Sequence, residues 1–493
     1  MKSGVSPAAT WLNTSNLVLA GLLVFTLIVR GSVLWVMRDN LTQDPDAYRE
    51  IAENLLRHGE FAMGKPGPDG GVFKPTPTAY RPPLYPVVLS NLPAADGHHI
   101  SLVKLAVLHL VLGVATVWLT WLTAQRFIAS SPWLAPLLAG LLIACDPILL
   151  NQQSLVMTET FAAFLAILSL WCLARFDQLR TWFNAALTGG AVGLAILCRP
   201  TFLPWILLVA IGMLFVRGRR SFRDSALRAG PPASRVESAF DFGWRVANAT
   251  ALVIVTAAVL SPWAIRNYQI FGKPIVTTTH GGYTLHLGNN EQFYEYLAKG
   301  DFDLPWEASS LKRLVLSKDT MLTTDIAKKM ELLFAASKEF EKIKQQHQYT
   351  DHPELRNDYI AYAFAKSWMR EHPTEAAGAC FYRLRQLWSP LPHKLAKDES
   401  TGRKLLRYAT AVWYCGVYAL AVIGIWRLRW QLLQPPWIWG VLLCLVFTGV
   451  HTFYWTNLRM RAPLMPFIAI VAAAAVMSKV QGPKSKVEAT ESA

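Results

Sequence analysis

Charge is scarce in this chain: Asp, Glu, Lys and Arg make up 16% of its 493 residues, against roughly 25% in an ordinary soluble domain. The charge present is lopsided, with 48 basic and 33 acidic residues and a formal net charge of +15. Cysteine is sparse as well, at six residues: Cys145, Cys172, Cys198, Cys380, Cys415 and Cys444. None forms a C-x-x-C pair, which argues against a zinc site or disulfide framework, so they read as small apolar residues. No H-E-x-x-H and no G-x-x-x-x-G-K-[ST] run occurs, so metalloprotease and P-loop readings fail. No repeat of solenoid period is present.

What the chain has in excess is apolar residues, 53% of the total, including 19 Trp. They fall in long unbroken blocks rather than at helical or strand period. A block of about 18 or more apolar residues reads as a membrane span. Spans are expected near 15–36, 101–124, 132–150, 158–175, 183–198, 201–217, 246–265, 407–427, 435–454 and 462–479. No small-residue cleavage site follows the first block, which therefore reads as a retained signal anchor. Ten spans put both termini on one side. With that side cytoplasmic, the cytoplasmic segments carry Arg126, Arg175, Arg180, the run from Arg217 to Arg245, Arg427, Arg429, Lys479, Lys484 and Lys486. The short opposite loops carry little beyond Arg199, Arg459 and Arg461. This is the positive-inside pattern, so the basic excess is a topology signal and no nucleic-acid partner is expected. The fold class is an all-α polytopic membrane protein, a bundle of about ten transmembrane helices with a small soluble insert on the outer face.

The organisation read from this pattern is a transmembrane module over 1–265, an insert over 266–406, C-terminal transmembrane helices over 407–479 and a disordered tail over 480–493. Within the insert, 319–346 and 353–371 have apolar residues at helical spacing. The stretch 376–388 mixes Phe381, Tyr382, Leu384, Leu387 and Trp388 with Arg383 and Arg385, the pattern of an amphipathic helix at a membrane surface. Gly189, Gly190 and Gly193 permit close helix packing. Arg30 lies inside the first apolar block; a cation there faces the protein interior or snorkels to the surface.

The residues that can carry chemistry cluster at the outer loops. The first outer loop, 37–100, contains Gln43-Asp44-Pro45-Asp46-Ala47-Tyr48-Arg49-Glu50-Ile51. Ile51, Ala52, Leu55 and Leu56 have helical spacing, with Asp46 placed to cap that helix. A Gly/Pro-rich loop over 63–78 ends in Tyr80-Arg81-Pro82-Pro83-Leu84-Tyr85-Pro86. The prolines stiffen the backbone just after Arg81.

An outer-loop Asp four residues before a Tyr, an apolar helix ending in Gly, then a cation followed by Pro-Pro-Leu-Tyr resembles the GT-C membrane glycosyltransferases. Within these it resembles the protein mannosyltransferase and aminoarabinose transferase family, whose first loop carries an Asp-Glu pair and whose later motif usually reads Lys-Pro-Pro-Leu. The likeness continues through Met157-Thr158-Glu159, Cys198-Arg199-Pro200-Thr201, Ser261-Pro262-Trp263-Ala264-Ile265-Arg266-Asn267-Tyr268, Phe271-Gly272-Lys273-Pro274, Gly288-Asn289-Asn290 and Arg459-Met460-Arg461-Ala462-Pro463.

The resemblance implies a sugar transferred from a polyprenyl-phosphate donor to an acceptor hydroxyl on a lipid, glycan or protein. It implies Asp44 as the catalytic base, through its spacing to Tyr48; Asp46 replaces the family's Glu one residue late, and Glu159 supports the base or positions the acceptor. Arg81 stands where the family has Lys and offers a forked donor to phosphate; Arg266, Arg459 and Arg461 are further phosphate candidates. Tyr48, Tyr80, Tyr85, Arg199 and His280 are candidate substrate contacts. A carboxylate takes the acceptor's proton and favours an oxocarbenium-like transition state, while a guanidinium stabilises the departing phosphate. A single base predicts inversion at the sugar carbon. No metal ligand set is evident, and a divalent cation is left open as cofactor. The competing reading is a lipid-carrier or small-molecule transporter, which should show paired halves and polar residues near the midplane.

Overall fold

The computed structural model describes residues 7–64, 75–215, 235–300, 306, 352–394 and 398–477. The arginine run 217–228, the helix expected over 319–346 and the tail over 480–493 lie outside them. The described residues are mostly helical, with one two-residue antiparallel pairing, Ala62–Met63 with Thr76–Pro77, and an isolated bridge between Pro93 and Ile100. Among the described residues six helices are long and apolar enough to cross a membrane: Thr14–Val36, Leu102–Phe127, Glu159–Gln178, Phe242–Phe271, Thr401–Leu433 and Leu458–Val476. Four shorter apolar helices, Leu134–Ala144, Trp182–Cys198, Pro200–Phe215 and Trp437–Phe453, complete the set. Each of the ten expected spans has its helix here.

The bundle is apolar outside as well as inside. Leu17, Val24, Ile28 and Trp35 on the first helix and Val412, Val422 and Trp426 near the end are large, apolar and exposed. Such a surface suits lipid rather than water. Glu159–Gln178 and Leu458–Val476 are the most enclosed spans and Thr14–Val36 the least. Helix starts follow local chemistry: Ser101 accepts from the Lys104 N–H, and Thr181 from the Asn184 N–H, each satisfying an orphan donor of the first turn.

Three boundaries differ from the sequence expectation. The third span breaks at Asp146, whose side chain accepts from the Leu149 N–H and starts a separate short helix, Pro147–Gln152, with proline in its first turn. The seventh helix runs through Pro262 to Phe271, so Arg266 sits inside it rather than in the insert. The last span opens as a 3-10 helix, Leu458–Leu464. Arg30 faces the interior: it donates to Gln153 Oε1 at 3.0 Å and to the Ile143 carbonyl at 2.8 Å, in space left by Gly113. Gly189 and Gly193 do allow close packing, against Leu252 and Val259 of the seventh helix.

The first loop folds onto one end of the bundle. Its helix Tyr48–His58 packs on the short helix Leu84–Ser90. The insert folds onto that same end through the helices Gly281–Leu287, Glu291–Lys299, Pro353–Glu371 and Pro373–Trp388. The last two correspond to the helical stretches expected at 353–371 and 376–388.

Candidate active site

The helix Tyr48–His58 starts abruptly. Ala47 precedes it with φ 59°, in the left-handed region, which an L-residue occupies at a cost and which clusters at functional sites. Asp46 is not its cap. Asp44 is: its Oδ2 accepts from the Glu50 N–H at 2.9 Å. The other oxygen, Oδ1, is buried and has no hydrogen-bond partner. Burial pushes the Asp44 carboxyl above its ordinary range, against the pull of the Glu50 and Arg49 N–H groups.

Asp46, just before the turn at Ala47, has different partners. Asp46 Oδ1 pairs with Arg81 Nη2 at 2.8 Å, and its backbone carbonyl accepts from Arg81 Nε at 2.8 Å. Asp46 Oδ2 lies 3.7 Å from Arg459 Nη2. Arg459 Nε in turn lies 3.6 Å from Glu159 Oε1, and Arg199 Nη1 lies 3.4 Å from the same oxygen. Five residues far apart in sequence therefore form one chain of alternating charge: Arg81, Asp46, Arg459, Glu159, Arg199. Three guanidiniums face two carboxylates, which leaves a net positive charge. Glu159 is almost fully buried, at 1% exposure, and its Oε2 has no hydrogen-bond partner.

Aromatic rings wall this network. The Arg81 guanidinium stacks over Tyr48 and Tyr80, 5.5 and 5.1 Å from the ring centroids. Arg81 Nη1 lies 3.3 Å from His280 Nε2. Arginine has no acceptor, so Nε2 accepts and Nδ1 carries the proton; that Nδ1 is buried and unpartnered. Burial, and then the charge of Arg81, hold His280 well below its ordinary pKa, so the ring is neutral. Burial lifts the Tyr48 phenol to about 12 and keeps it protonated.

Other predicted site residues lie elsewhere. Tyr85 is fully buried; its hydroxyl bonds His109 Nε2 at 2.7 Å and it packs edge-on against Tyr48, so it supports Tyr48 rather than meeting a substrate. Arg266 donates to the Thr78 carbonyl at 2.7 Å and the Phe61 carbonyl at 2.6 Å, beneath Phe61 and Trp263. That ties the first loop to the seventh helix and leaves little of its fork for phosphate. Arg461 is fully buried, donates to the Leu387 and Ser389 carbonyls, and lies under Tyr414; it stands apart from the network as well.

Sequence reading missed Glu354, at the start of the insert helix Pro353–Glu371. Its Oε2 accepts from Thr78 Oγ1 at 2.8 Å, and its Oε1 accepts from the Ala79 N–H at 2.8 Å and from Thr279 Oγ1. Acidic residues are common in a helix's first turn, so nothing in the sequence sets this one apart. Among the described residues no three of His, Cys, Asp and Glu are grouped to hold a metal ion.

Direct comparison covers part of the chain, beginning at Arg81 and leaving the Asp44 loop outside it. Residues 81–230 match the family model described as dolichyl-phosphate-mannose-protein mannosyltransferase. No curated protein matches the chain. Among solved structures, the oligosaccharyltransferase of Archaeoglobus fulgidus in its apo form is similar at 14% identity and a TM-score of 0.48, over 93% of this chain and 50% of that one. The chain thus spans about half the length of that protein. ArnT from Cupriavidus metallidurans, bound to undecaprenyl phosphate, is similar at 17% identity and a TM-score of 0.39, over 93% of this chain and 78% of that one.

Proposed function

We propose that the chain is a membrane glycosyltransferase that moves a sugar from a polyprenyl-phosphate donor to an acceptor hydroxyl, on the outer face of a cell's cytoplasmic membrane. The observation that carries this reading is the pairing of two features on one loop. Asp44 holds a buried, unpartnered carboxylate oxygen, and two residues on Asp46 gathers Arg81 and Arg459. One offers an unpartnered oxygen that can take a proton; the other holds two cations together where an anion can meet them. The match of residues 81–230 to a family named for a dolichyl-phosphate sugar donor supports the same reading.

In this mechanism the acceptor oxygen attacks the anomeric carbon. Asp44 Oδ1 takes the hydroxyl proton. The bond from the anomeric carbon to the phosphate oxygen breaks, and its electrons leave with the polyprenyl phosphate. Arg81 and Arg459 face the charge that gathers there. Asp46 acts as the bracket between them, and Glu159 holds Arg459 and Arg199 at the far end. Arg266 and Arg461 act as struts. Direct displacement of this kind inverts the sugar carbon. The acceptor is a lipid, glycan or protein hydroxyl.

The test supplies membranes containing the chain with radiolabelled polyprenyl-phosphate hexoses and pentoses, beside membranes lacking it. Label should reach a new acceptor fraction with at least one donor. A correctly folded chain that moves no label from any of them would overturn the reading.

A further inference from the structure

Glu354 does more than contact one loop. It lies on the same face of its helix as Asp358 and Tyr362, at successive i, i+4 positions. Asp358 Oδ1 accepts from the Gly282 N–H at 2.7 Å, and the Tyr362 hydroxyl lies 3.4 Å from that of Tyr454. The helices are in such close contact that a Cβ on Gly281 would meet the Tyr362 hydroxyl, and one on Gly282 the Asp358 carbonyl. One insert helix thus grips three segments at once: Thr78 and Ala79 before Arg81, Thr279 and Gly282 around His280, and Tyr454 ahead of Arg459. Thr78 Oγ1 also accepts from the Tyr80 N–H at 3.0 Å, and the Thr279 N–H donates to the Ala79 carbonyl at 3.0 Å. The segments carrying Arg81 and His280 are therefore joined to each other and to Glu354.

We propose that Glu354 is a positioning residue: its carboxylate fixes the segment 78–81 against 279–280, and so sets where the Arg81 guanidinium meets the donor phosphate. The phosphate part rests on the transferase reading above; the positioning part does not. The carboxylate accepts from three donors at once, and if this geometry rather than its charge sets the position, the substitutions follow an unusual order. Glu354→Gln keeps the length and an oxygen for the Ala79 N–H and Thr279, and its amide can face Thr78. Glu354→Asp keeps the charge but is one methylene too short to span the three donors.

The experiment uses the purified full chain in detergent and two readouts. Hydrogen exchange of the peptide containing Ala79 and Tyr80 should speed up about tenfold, or about 1.4 kcal/mol, in Glu354→Ala and Glu354→Asp. In Glu354→Gln it should stay close to wild type. Binding of undecaprenyl phosphate should weaken by a similar factor in the same two variants and recover in Glu354→Gln. Unchanged exchange in Glu354→Ala, or Asp rescuing better than Gln, would overturn the positioning role. If a variant fails to elute as a monodisperse peak, Thr279→Val, which removes one of the three donors, is read by the same exchange measurement. Wild-type protein that binds no undecaprenyl phosphate while the exchange order holds would count against the transferase reading and leave the positioning role standing.

Discussion

Asp44 has one job in the structure and a second in the proposed reaction, and they can be separated. One oxygen caps the helix Tyr48–His58 through the Glu50 N–H; the other is buried and unpartnered. Asp44→Asn preserves the cap, since asparagine accepts from the same N–H about as well, but it cannot take a proton. Asp44→Ala removes both. Losing a cap of this kind costs about 1 kcal/mol of stability; losing a general base costs about 100- to 10,000-fold in rate. The expected pattern is therefore split. Asn should unfold near the wild-type midpoint yet lose two to four orders of magnitude in transfer rate, and Ala should lose the same rate plus about 1 kcal/mol. Thermal unfolding in detergent and initial rates of label transfer measure the two effects on the same samples. If Asn retains more than about a tenth of the rate, the base is not Asp44, and the capping role accounts for the residue entirely.

Four further outcomes follow. Asp44 must be ionised to act, and burial holds its pKa above the ordinary 3.8; the rate should fall as pH drops through that raised value. By the same linkage, ionising Asp44 should lower stability as pH rises from the ordinary carboxylate range through the raised pKa. An acid limb at the ordinary carboxylate pKa would contradict this. Glu159→Gln leaves Arg199 and Arg459 without the carboxylate they share. Removing one partner of a buried pair costs about 3–5 kcal/mol, and the partial exposure of Arg459 puts this case near the lower end; a change under about 0.5 kcal/mol in denaturant unfolding would mean that the pair is inert. Gly189→Ala would drive a methyl into the Leu252 carbonyl oxygen, and overpacking of this kind costs about 1–3 kcal/mol in thermal unfolding.

The helices were legible in the sequence because their signal is local. A membrane span announces itself by length and composition, so all ten expected blocks have a helix. Their ends were not legible where a buried polar residue decides them. Asp146 breaks the third span because its side chain meets the Leu149 N–H and the Tyr414 hydroxyl, and a partner 268 residues away leaves no local trace. The sequence places Asp46 as the cap of the helix Tyr48–His58, whereas Asp44 takes the Glu50 N–H and Asp46 pairs with Arg81; the left-handed turn at Ala47 that separates these parts is not written in an alanine. Arg199, Glu159 and Arg459 were candidates separately; that they form one network is a matter of tertiary contact. Glu354 was invisible for the same reason.

The most direct test of the central claim follows the lipid rather than the sugar. Chain reconstituted in proteoliposomes with a labelled polyprenyl-phosphate sugar and an acceptor should release free polyprenyl phosphate in step with sugar appearing on the acceptor, and Asp44→Asn should release almost none. Lipid-linked sugar that crosses the bilayer intact, with no polyprenyl phosphate set free, would contradict the account and make the protein a carrier.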